Sequence, residues 1–375
     1  MGKIIRLSKS SVTSDDIKAV KKTLQKEYLG MGNEVFLFEK LIKKFLNTKK
    51  KVLCVSSASA ALHLSLLSLN LKKDDEVIVP SISFVSALQS ILAVGAKPVF
   101  CDINKKNGFM DIEDLKKKIT KNTKVIMPVY YASDAPDIQE VYKIAKKKNL
   151  RVVEDAANAF GSYSGKKPVG SKGDIICFSF DGIKNITSGE GGAIVSSDKK
   201  VIAKIRSSRF LGISKEDANR YKNKKSFNYD VKSLGFRYHM SNICASLGIS
   251  QLKRINIIKK KRQTLVENYI KKFKPCKNVE ILDLNYKKIL PHIFVIKVDS
   301  FIQKKLIKHL KNHNIETGIH WVPSHTFSII NSKAKLKNTQ FFYNNVITLP
   351  LHNDLSASMQ QRIIKLILTF LNALN

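Results

Sequence analysis

The sequence has no long apolar run and no apolar segment at its start. No stretch reaches the roughly 18 apolar residues that a membrane-spanning helix requires. The first ten residues, MGKIIRLSKS, lack the apolar core of a secretory signal. We therefore expect a cytoplasmic protein that has no membrane partner.

Cysteine is also scarce. The 375-residue chain has five cysteines, an odd number, and they lie far apart at Cys54, Cys101, Cys177, Cys244 and Cys276. A disulfide framework or a zinc site would instead show paired or closely spaced cysteines. We therefore expect reduced thiols that mostly lie in the core, with no metal site.

Acidic residues are few beside the basic ones. The chain has 30 acidic and 66 basic residues, a net charge of +36. Such a charge is typical of proteins that bind nucleic acids, anionic membranes or phosphate-rich ligands. Here the lysines form short runs scattered along the chain, without one basic arm or an aromatic-interleaved patch. A compositional bias toward lysine explains them more simply, and we expect no nucleic-acid partner, although an anionic substrate would be attracted.

Short apolar segments alternate with helical patterns in the first half of the chain, and 43% of all residues are hydrophobic. The alternation predicts a mainly parallel α/β sheet that helices cover on both faces. The predicted strands are 51–55, 76–79, 98–103, 125–129 and 150–154, and the helices between them are 60–69, 83–94, 112–119 and 138–147.

The rest of the chain predicts further helices and a second domain. Helices are expected at 14–25, from Asn33 onward, at 200–210, at 241–268, at 301–313 and at 356–374, with a strand at 292–298. Beyond about residue 264 the strands become shorter. We therefore predict a large domain over 1–264, including an N-terminal helical segment, and a smaller C-terminal α/β domain over 265–375.

The stretch 152–196 carries the clearest chemical signal. Asp155 ends one apolar strand, Ser179 ends another, and Lys184 precedes the glycine-rich segment 189–192. Ligands of open α/β sheets bind outside the carboxyl ends of the strands, so these groups suggest a pocket for a charged ring with a phosphate. Each alone has a plainer explanation: a solvated surface lysine, a helix-capping aspartate, an ordinary turn.

Their order and spacing together resemble the DegT/DnrJ/EryC1/StrS family of sugar aminotransferases. The matching segments are Glu154-Asp155-Ala156-Ala157-Asn158, then Gly173-Asp174 before Phe178-Ser179-Phe180, then Lys184 through Gly191-Gly192. The resemblance extends from about Ile5 to the last helix. It implies a fold of type I, like aspartate aminotransferase, pyridoxal 5'-phosphate (PLP) as cofactor, and a homodimer with shared active sites.

The resemblance also implies roles for single residues. Lys184 would form the Schiff base and move a proton, and its presence favours amino transfer, because relatives that dehydrate sugars carry histidine there. Asp155 would pair with the ring nitrogen. The remaining cofactor contacts would be Ala58, Ser59 and Ser179 at the phosphate, Phe84 stacked on the ring, Asn158 beside the ring hydroxyl, and Arg237 reaching the neighbouring subunit's phosphate. Ala58-Ser59, Asn158 and Arg237 depart from the family's usual residues.

The substrate side is implied by resemblance to the branch that acts on dTDP-4-keto-6-deoxyhexoses. Met31, His320 and Trp321 would lie near the substrate, with core packing as the alternative for Trp321 and Phe84. The expected reaction moves an amino group from L-glutamate to a 4-keto sugar for a surface glycan. A 3-keto nucleotide sugar, a keto-polyol or a keto-phosphate are the nearer alternatives. A basic, non-catalytic binding or regulatory protein on the same fold is the more distant one.

Overall fold

A seven-stranded sheet forms the centre of the larger part of the molecule. The structure is a computed structural model that describes residues 4–213 and 229–374. The strands run in the order β1-β9-β8-β5-β4-β2-β3. Strand β9 is antiparallel to β1 and β8, and the other neighbours are parallel, so the predicted mainly parallel sheet is confirmed. Its strands are β1 (Lys51–Val55), β2 (Glu76–Pro80), β3 (Lys97–Cys101), β4 (Thr123–Ile126), β5 (Arg151–Asp155), β8 (Ile175–Ser179) and β9 (Gly192–Ser196); β6 (Tyr163–Ser164) and β7 (Lys167–Pro168) form a separate hairpin.

Helices cover both faces of this sheet, which is why the strand sequences are mainly apolar. The helices are α1 (Ser14–Leu24), α2 (Asn33–Phe45), α3 (Ala58–Leu67), α4 (Val85–Ala93), α5 (Ile112–Lys118), α6 (Ile138–Lys148) and α7 (Lys199–Ser208). In β8, Ile176 and Phe178 enter a core with α2 and α6, whereas Ile175 and Cys177 enter a second core with α3 and α4. We call these two sides the α2 face and the α3 face.

A smaller antiparallel sheet organises the C-terminal part. Helix α8 (Asn242–Lys253) still belongs to the core of the large sheet through Ala245 and Leu252. The small sheet has strands β10 (Glu280–Ile281), β11 (Phe294–Lys297) and β12 (Val346–Leu349) in that order, and the helices around it are α9 (Ile255–Phe273), α10 (Ser300–Asn312), α11 (Lys337–Asn345) and α12 (Ala357–Asn372). Helix α9 contributes Ile258 to the core of the large sheet and Tyr269 to the core of the small one. The two cores therefore meet near the predicted boundary at 264, whereas a division into two domains stays a prediction.

Several predicted element boundaries are wrong in instructive ways. The single helix predicted over 241–268 is two helices, α8 and α9, separated at Arg254, whose φ of −106° and ψ of 14° leave the helical range. Helices α1 and α2 start at Ser14 and Asn33 as predicted, with Thr13 and Gly32 as the capping positions. Helix α3 starts two residues earlier than predicted, with Ser57 as its cap. The lysine-rich loop expected at 215–225 lies outside the described residues.

The described ranges contain no helix long and apolar enough to cross a bilayer. All five cysteines are free thiols, and Cys54, Cys101 and Cys177 are buried.

The helix break at Arg254 coincides with a buried ion pair. The Arg254 guanidinium lies 2.8 Å from the carboxylate of Asp16, which is fully buried and also accepts hydrogen bonds from Thr13 and Gln251. Burial alone would raise the pKa of Asp16, but hydrogen bonds from Ser250 and Thr13 and the Arg254 charge hold the pKa below its usual 3.8. The resulting stabilisation is therefore complete above pH 3.8 and is lost as the pH falls further.

Replacing this carboxylate should destabilise the protein markedly. Asp16→Ala leaves the Arg254 guanidinium without its partner, and we expect the free energy of unfolding to fall by about 3 kcal/mol. Asp15→Ala is the matched control, because that neighbouring side chain is 81% exposed, and we expect a change within about 0.5 kcal/mol. Urea unfolding measures both. Equal losses of unfolding free energy in the two variants would show that the Asp16–Arg254 ion pair does not stabilise the protein.

Candidate active site

The carboxyl edge of the large sheet brings the predicted site residues together. Val55 at the end of β1 pairs with Gly192, and Gly192 pairs with Ser179 at the end of β8. One strand further, Asp155 pairs with Cys177. Because side chains two apart along a strand share a face, Asp155 and Ser179 follow Val153 and Cys177 onto the α3 face.

The loop after β1 ends at the N-terminus of α3. The Ser57 hydroxyl accepts a hydrogen bond from the Ala60 N–H at 3.1 Å. Ala58 and Ser59 occupy the first turn, where free backbone N–H groups and the helix dipole attract an anion. The Ser59 hydroxyl also lies 2.6 Å from that of Ser86. This turn can hold a phosphate group.

A glycine allows that loop to approach the sheet. A Cβ atom added to Gly192 would lie 2.4 Å from the Ser57 carbonyl oxygen and 2.8 Å from the Ala58 nitrogen. Such contacts do not occur between real atoms, so a side chain at this position would push the loop away. The end of the Gly189-Glu190-Gly191-Gly192 segment therefore has a steric role at the predicted phosphate site.

Lys184 and Asp155 form the charged centre of the site. The Lys184 amine donates a hydrogen bond of 2.7 Å to the Asn158 side-chain oxygen. Burial lowers the pKa of Lys184, opposed by the charges of Asp181 and Asp155. Asp155 is 5% exposed, and burial raises the pKa of its carboxyl group. Two interactions oppose this rise: the hydrogen bond of 3.2 Å that the Ala157 N–H donates to the carboxylate, and the positive charge of Lys184. Each group thus reduces the cost of burying the other.

Two histidines near Lys184 are neutral at physiological pH. His320 is half-buried, with Nδ1 at 2.9 Å from the Thr348 hydroxyl; burial and the Lys184 charge lower the pKa of His320 to about 4. His292 is 4% exposed, and burial, with the charges of Lys184 and Arg262, holds its pKa well below the usual value. His320 was predicted at the site by resemblance. His292 was not, because no motif marked it.

Two aromatic side chains face each other at the mouth of the site. Phe84, at the start of α4, is 53% exposed, and its ring centre lies 6.4 Å from that of Trp321. Trp321 also contacts Tyr131 edge-on at 5.7 Å. The Ser81 hydroxyl lies 2.6 Å from His325 Nδ1, which ties the loop after β2 to the segment carrying Trp321. A planar ligand at this edge would meet Phe84 on open surface.

Met31 is buried, whereas Arg237 is exposed. The Met31 side chain is 1% exposed and packs with Val35 and Phe38, and its contact with substrate stays a prediction. Arg237 is exposed, and its backbone segment lies along the loop after β1, with the Tyr238 carbonyl accepting from the Ser56 N–H at 2.7 Å.

Sequence reasoning also missed the residues that hold Asn158. The Asn158 carbonyl accepts hydrogen bonds from the Ser133 hydroxyl at 2.6 Å and the Asn185 amide at 3.3 Å. These partners come from separate loops, and no motif named them. Asn185 adjoins Lys184 in sequence, which was the one available signal.

The residues present fit PLP. The ring nitrogen can meet the buried Asp155 carboxylate, the phosphate can meet the first turn of α3 and the Ser179 hydroxyl, and a ring face can meet Phe84. The carbonyl carbon needs a lysine whose amine loses its proton readily, which burial of Lys184 provides. With the mainly parallel sheet and the smaller C-terminal part, these groups define a PLP-dependent transaminase of fold type I.

Comparison with known proteins places this chain within one family. The model of the DegT/DnrJ/EryC1/StrS aminotransferase family matches residues 10–368. The chain therefore belongs to that family, and the predicted family, enzyme class and cofactor PLP are confirmed.

Individual relatives share nearly the whole chain. A UDP-4-amino-4-deoxy-L-arabinose–oxoglutarate aminotransferase of Shewanella sediminis is 32% identical, over 96% of both chains. The spore coat polysaccharide biosynthesis protein SpsC of Bacillus subtilis is 31% identical, over 92% of this chain and 91% of that one. The solved structure of Helicobacter pylori PseC, an aminotransferase of pseudaminic acid biosynthesis, matches with a TM-score of 0.91 and 30% identity, over 99% of this chain and all of that one. The chain is a sugar aminotransferase.

Reduction should attach the cofactor to one lysine. Borohydride treatment of the purified PLP-loaded protein should bleach its cofactor absorbance and leave the label on the peptide that contains Lys184, because its amine lies beside Asp155 and Asn158. Peptide mass spectrometry gives the position. Lys184→Ala should bind less cofactor and carry no label. A label on any other lysine would overturn the assignment.

Proposed function

We propose that this sugar aminotransferase moves an amino group from L-glutamate to C4 of a nucleotide-linked 4-keto-6-deoxyhexose. The product would be a 4-amino-4,6-dideoxy sugar for a surface glycan, made in the cytoplasm. The observation that carries the proposal is a neutral histidine beside an aromatic ring: the ring centres of His320 and Trp321 lie 5.5 Å apart, and the Lys184 charge helps to lower the pKa of His320. Such a pair suits a sugar, whose hydroxyls need hydrogen bonds and whose ring packs on aromatic surface.

The chain's own residues account for the proton transfers. Bound PLP supplies a ring that accepts the negative charge left on the substrate carbon. The Asp155 carboxylate keeps the ring nitrogen protonated. The Lys184 amine, with its pKa lowered by burial, removes a proton from the substrate carbon beside the transferred nitrogen and returns one in the reverse half-reaction.

The other contacts hold and shield the cofactor. The first turn of α3, through Ala58 and Ser59, and the Ser179 hydroxyl would bind the phosphate. Phe84 would stack on the ring, and Asn158 would lie beside the ring oxygen while it keeps its hydrogen bond to Lys184. His292 and His320 contribute no positive charge, so the Lys184 amine is not driven further toward its neutral form.

The relatives support the position of amination and the donor. The name of the Shewanella sediminis enzyme specifies a 4-amino sugar and oxoglutarate, the product that glutamate leaves after donating its amine. That name also specifies UDP, whereas resemblance of motifs predicted dTDP. The nucleotide is therefore the point that a substrate panel must decide. The family membership and the site favour this enzyme over the basic binding protein considered from composition.

Incubation with a panel of keto sugars tests the acceptor. We expect amination of dTDP- or UDP-linked 4-keto-6-deoxyhexoses with glutamate, with mass spectrometry detecting the amino sugar. Trp321→Ala should raise the KM for the sugar about tenfold and leave the glutamate half-reaction unchanged, because in this proposal Trp321 binds the acceptor sugar and not glutamate. Phe301→Ala is the control, since that ring is 68% exposed on α10. Far faster amination of a 3-keto sugar or a keto-phosphate would refute this acceptor and leave the aminotransferase assignment standing.

We also propose a homodimer in which Arg237 completes the partner's phosphate site. Apolar side chains around Arg237 are unusually exposed: Leu211 at 46%, Val231 at 55% and Leu234 at 74%. Exposed apolar patches of this kind mark association surfaces, and two-fold dimers are the commonest closed assemblies.

Mixing two inactive variants tests the shared site. Lys184→Ala and Arg237→Ala chains should each be inactive. If Arg237 acts across the interface, a mixed dimer has one site with both lesions and one with neither. Equal mixing with free subunit exchange should then restore roughly a quarter of wild-type activity. If Arg237 serves its own chain, every mixed site carries a lesion and no activity returns, which would refute the proposal.

A further inference from the structure

Two side chains, those of Ser133 and Asn185, hold the main chain of Asn158, the residue that accepts a hydrogen bond from Lys184. Asn158 is 4% exposed, and its side-chain oxygen accepts from the Lys184 amine at 2.7 Å. Its backbone carbonyl accepts from the Ser133 hydroxyl at 2.6 Å and from the Asn185 amide at 3.3 Å. The residue that touches Lys184 is therefore anchored through its main chain to two other loops.

The orientation of the Ser133 hydroxyl follows from its two partners. The Asn158 carbonyl can only accept a hydrogen bond, and the His292 N–H, at 3.0 Å from the Ser133 oxygen, can only donate one. The hydroxyl proton must therefore point at Asn158. Ser133 is 1% exposed, so water cannot readily replace it. Through this one hydroxyl, the loop after β4 links the Asn158 segment to the segment carrying His292.

The backbone at Ser133 is unfavourable for any residue with a side chain. Ser133 has a φ of +77° and its neighbour Ala132 a φ of +48°, both in the left-handed region that glycine adopts most easily. Glycine at Ser133 would relieve the conformation but would supply no hydroxyl. An observed backbone outlier at a site supports a functional hypothesis, and here the hydroxyl is what the strained position provides.

Asn185 restrains the same carbonyl from the other side. Its amide group reaches three carbonyl oxygens, those of Leu290 at 3.0 Å, Phe160 at 3.2 Å and Asn158 at 3.3 Å. Asn185 is 5% exposed and directly follows Lys184 in the chain. The main chain at Lys184 is thereby tied to the main chain at Asn158, so both ends of the Lys184–Asn158 hydrogen bond are held.

We propose that Ser133 and Asn185 are positioning residues that hold Asn158, and through it the Lys184 amine, in the geometry that proton transfer needs. The inference rests on the proposed role of Lys184. It concerns residues that touch neither the substrate nor the cofactor in the arrangement described above. Misplacement of a reacting group by about 1 Å can cost up to about a hundredfold in rate, so a restraint of this kind has a functional consequence.

The ionisation of the Lys184 amine in the cofactor-free full-length protein reports directly on this restraint. An acceptor aligned with the ammonium group favours its charged form, so a displaced Asn158 should make Lys184 lose its proton at lower pH. The pH dependence of Lys184 modification by an amine reagent, followed by peptide mass spectrometry, gives the midpoint. The charged and titratable groups around Lys184 in the described structure are Asp155, Asp181, His292 and His320, and the variants below keep all four.

Three variants and one control test the proposal. Ser133→Gly and Asn185→Ala should each move the Lys184 midpoint to lower pH, in the direction of Asn158→Ala, which removes the acceptor itself. Ser162→Ala should leave it unchanged. The control is closely matched, because Ser162 is also 1% exposed and also accepts from a backbone N–H, that of Leu290 at 2.9 Å, without contacting Asn158. Urea unfolding confirms that each variant is folded.

In the PLP-loaded enzyme, the glutamate half-reaction provides the second measurement. We expect Ser133→Gly to slow the maximal rate about tenfold while the KM for glutamate changes little, because the residue positions the proton-transfer group and does not bind glutamate. Unchanged midpoints in folded Ser133→Gly and Asn185→Ala would overturn the proposal, as would an equal shift in Ser162→Ala. If borohydride instead labels another lysine, the role of Lys184 fails, whereas the midpoint shifts would still establish the restraint.

Discussion

The structure depends on placing a lysine amine and an aspartate carboxylate together in a largely buried site. Burial penalises both charges, raising the pKa of Asp155 and lowering that of Lys184, and each charge offsets part of the other's penalty. The surrounding groups are consistent with this balance: Ala157 donates to Asp155, Asn158 accepts from Lys184, and His292 and His320 are uncharged. A charged histidine here would repel the Lys184 ammonium and disturb the pair.

The sheet makes this arrangement possible because its parallel strands end at one edge. Asp155 and Ser179 reach the α3 face through the two-residue period of their strands, and the antiparallel β9 brings Gly192 between β1 and β8. Without a side chain at Gly192, the loop after β1 lies against the sheet and presents the first turn of α3 to the same edge. The groups proposed to bind the cofactor are therefore positioned by backbone geometry rather than by flexible surface side chains.

The parts predicted from sequence are those that local patterns determine. The strands were found because buried parallel strands are continuous apolar runs, and the family was recognised because the motifs around Asp155, Ser179 and Lys184 have a distinctive order and spacing. The failures involve contacts distant in sequence. The pattern of 241–268 continues smoothly through the break at Arg254, which pairs with Asp16, and Ser133 meets His292 across 159 positions.

The proposed site draws on different parts of the chain. Lys184, the proposed proton-transfer group, and its restraints belong to the part around the large sheet, whereas His320 and Trp321 come from the C-terminal part. The hydrogen bond between Ser81 and His325 joins these two parts. The surface charge of +36 cannot supply the selectivity that distinguishes one sugar from another. Its field acts on any anion and is screened beyond about 8 Å at physiological salt. It can accelerate the arrival of a nucleotide sugar, but the choice of acceptor must come from short-range contacts at the site mouth.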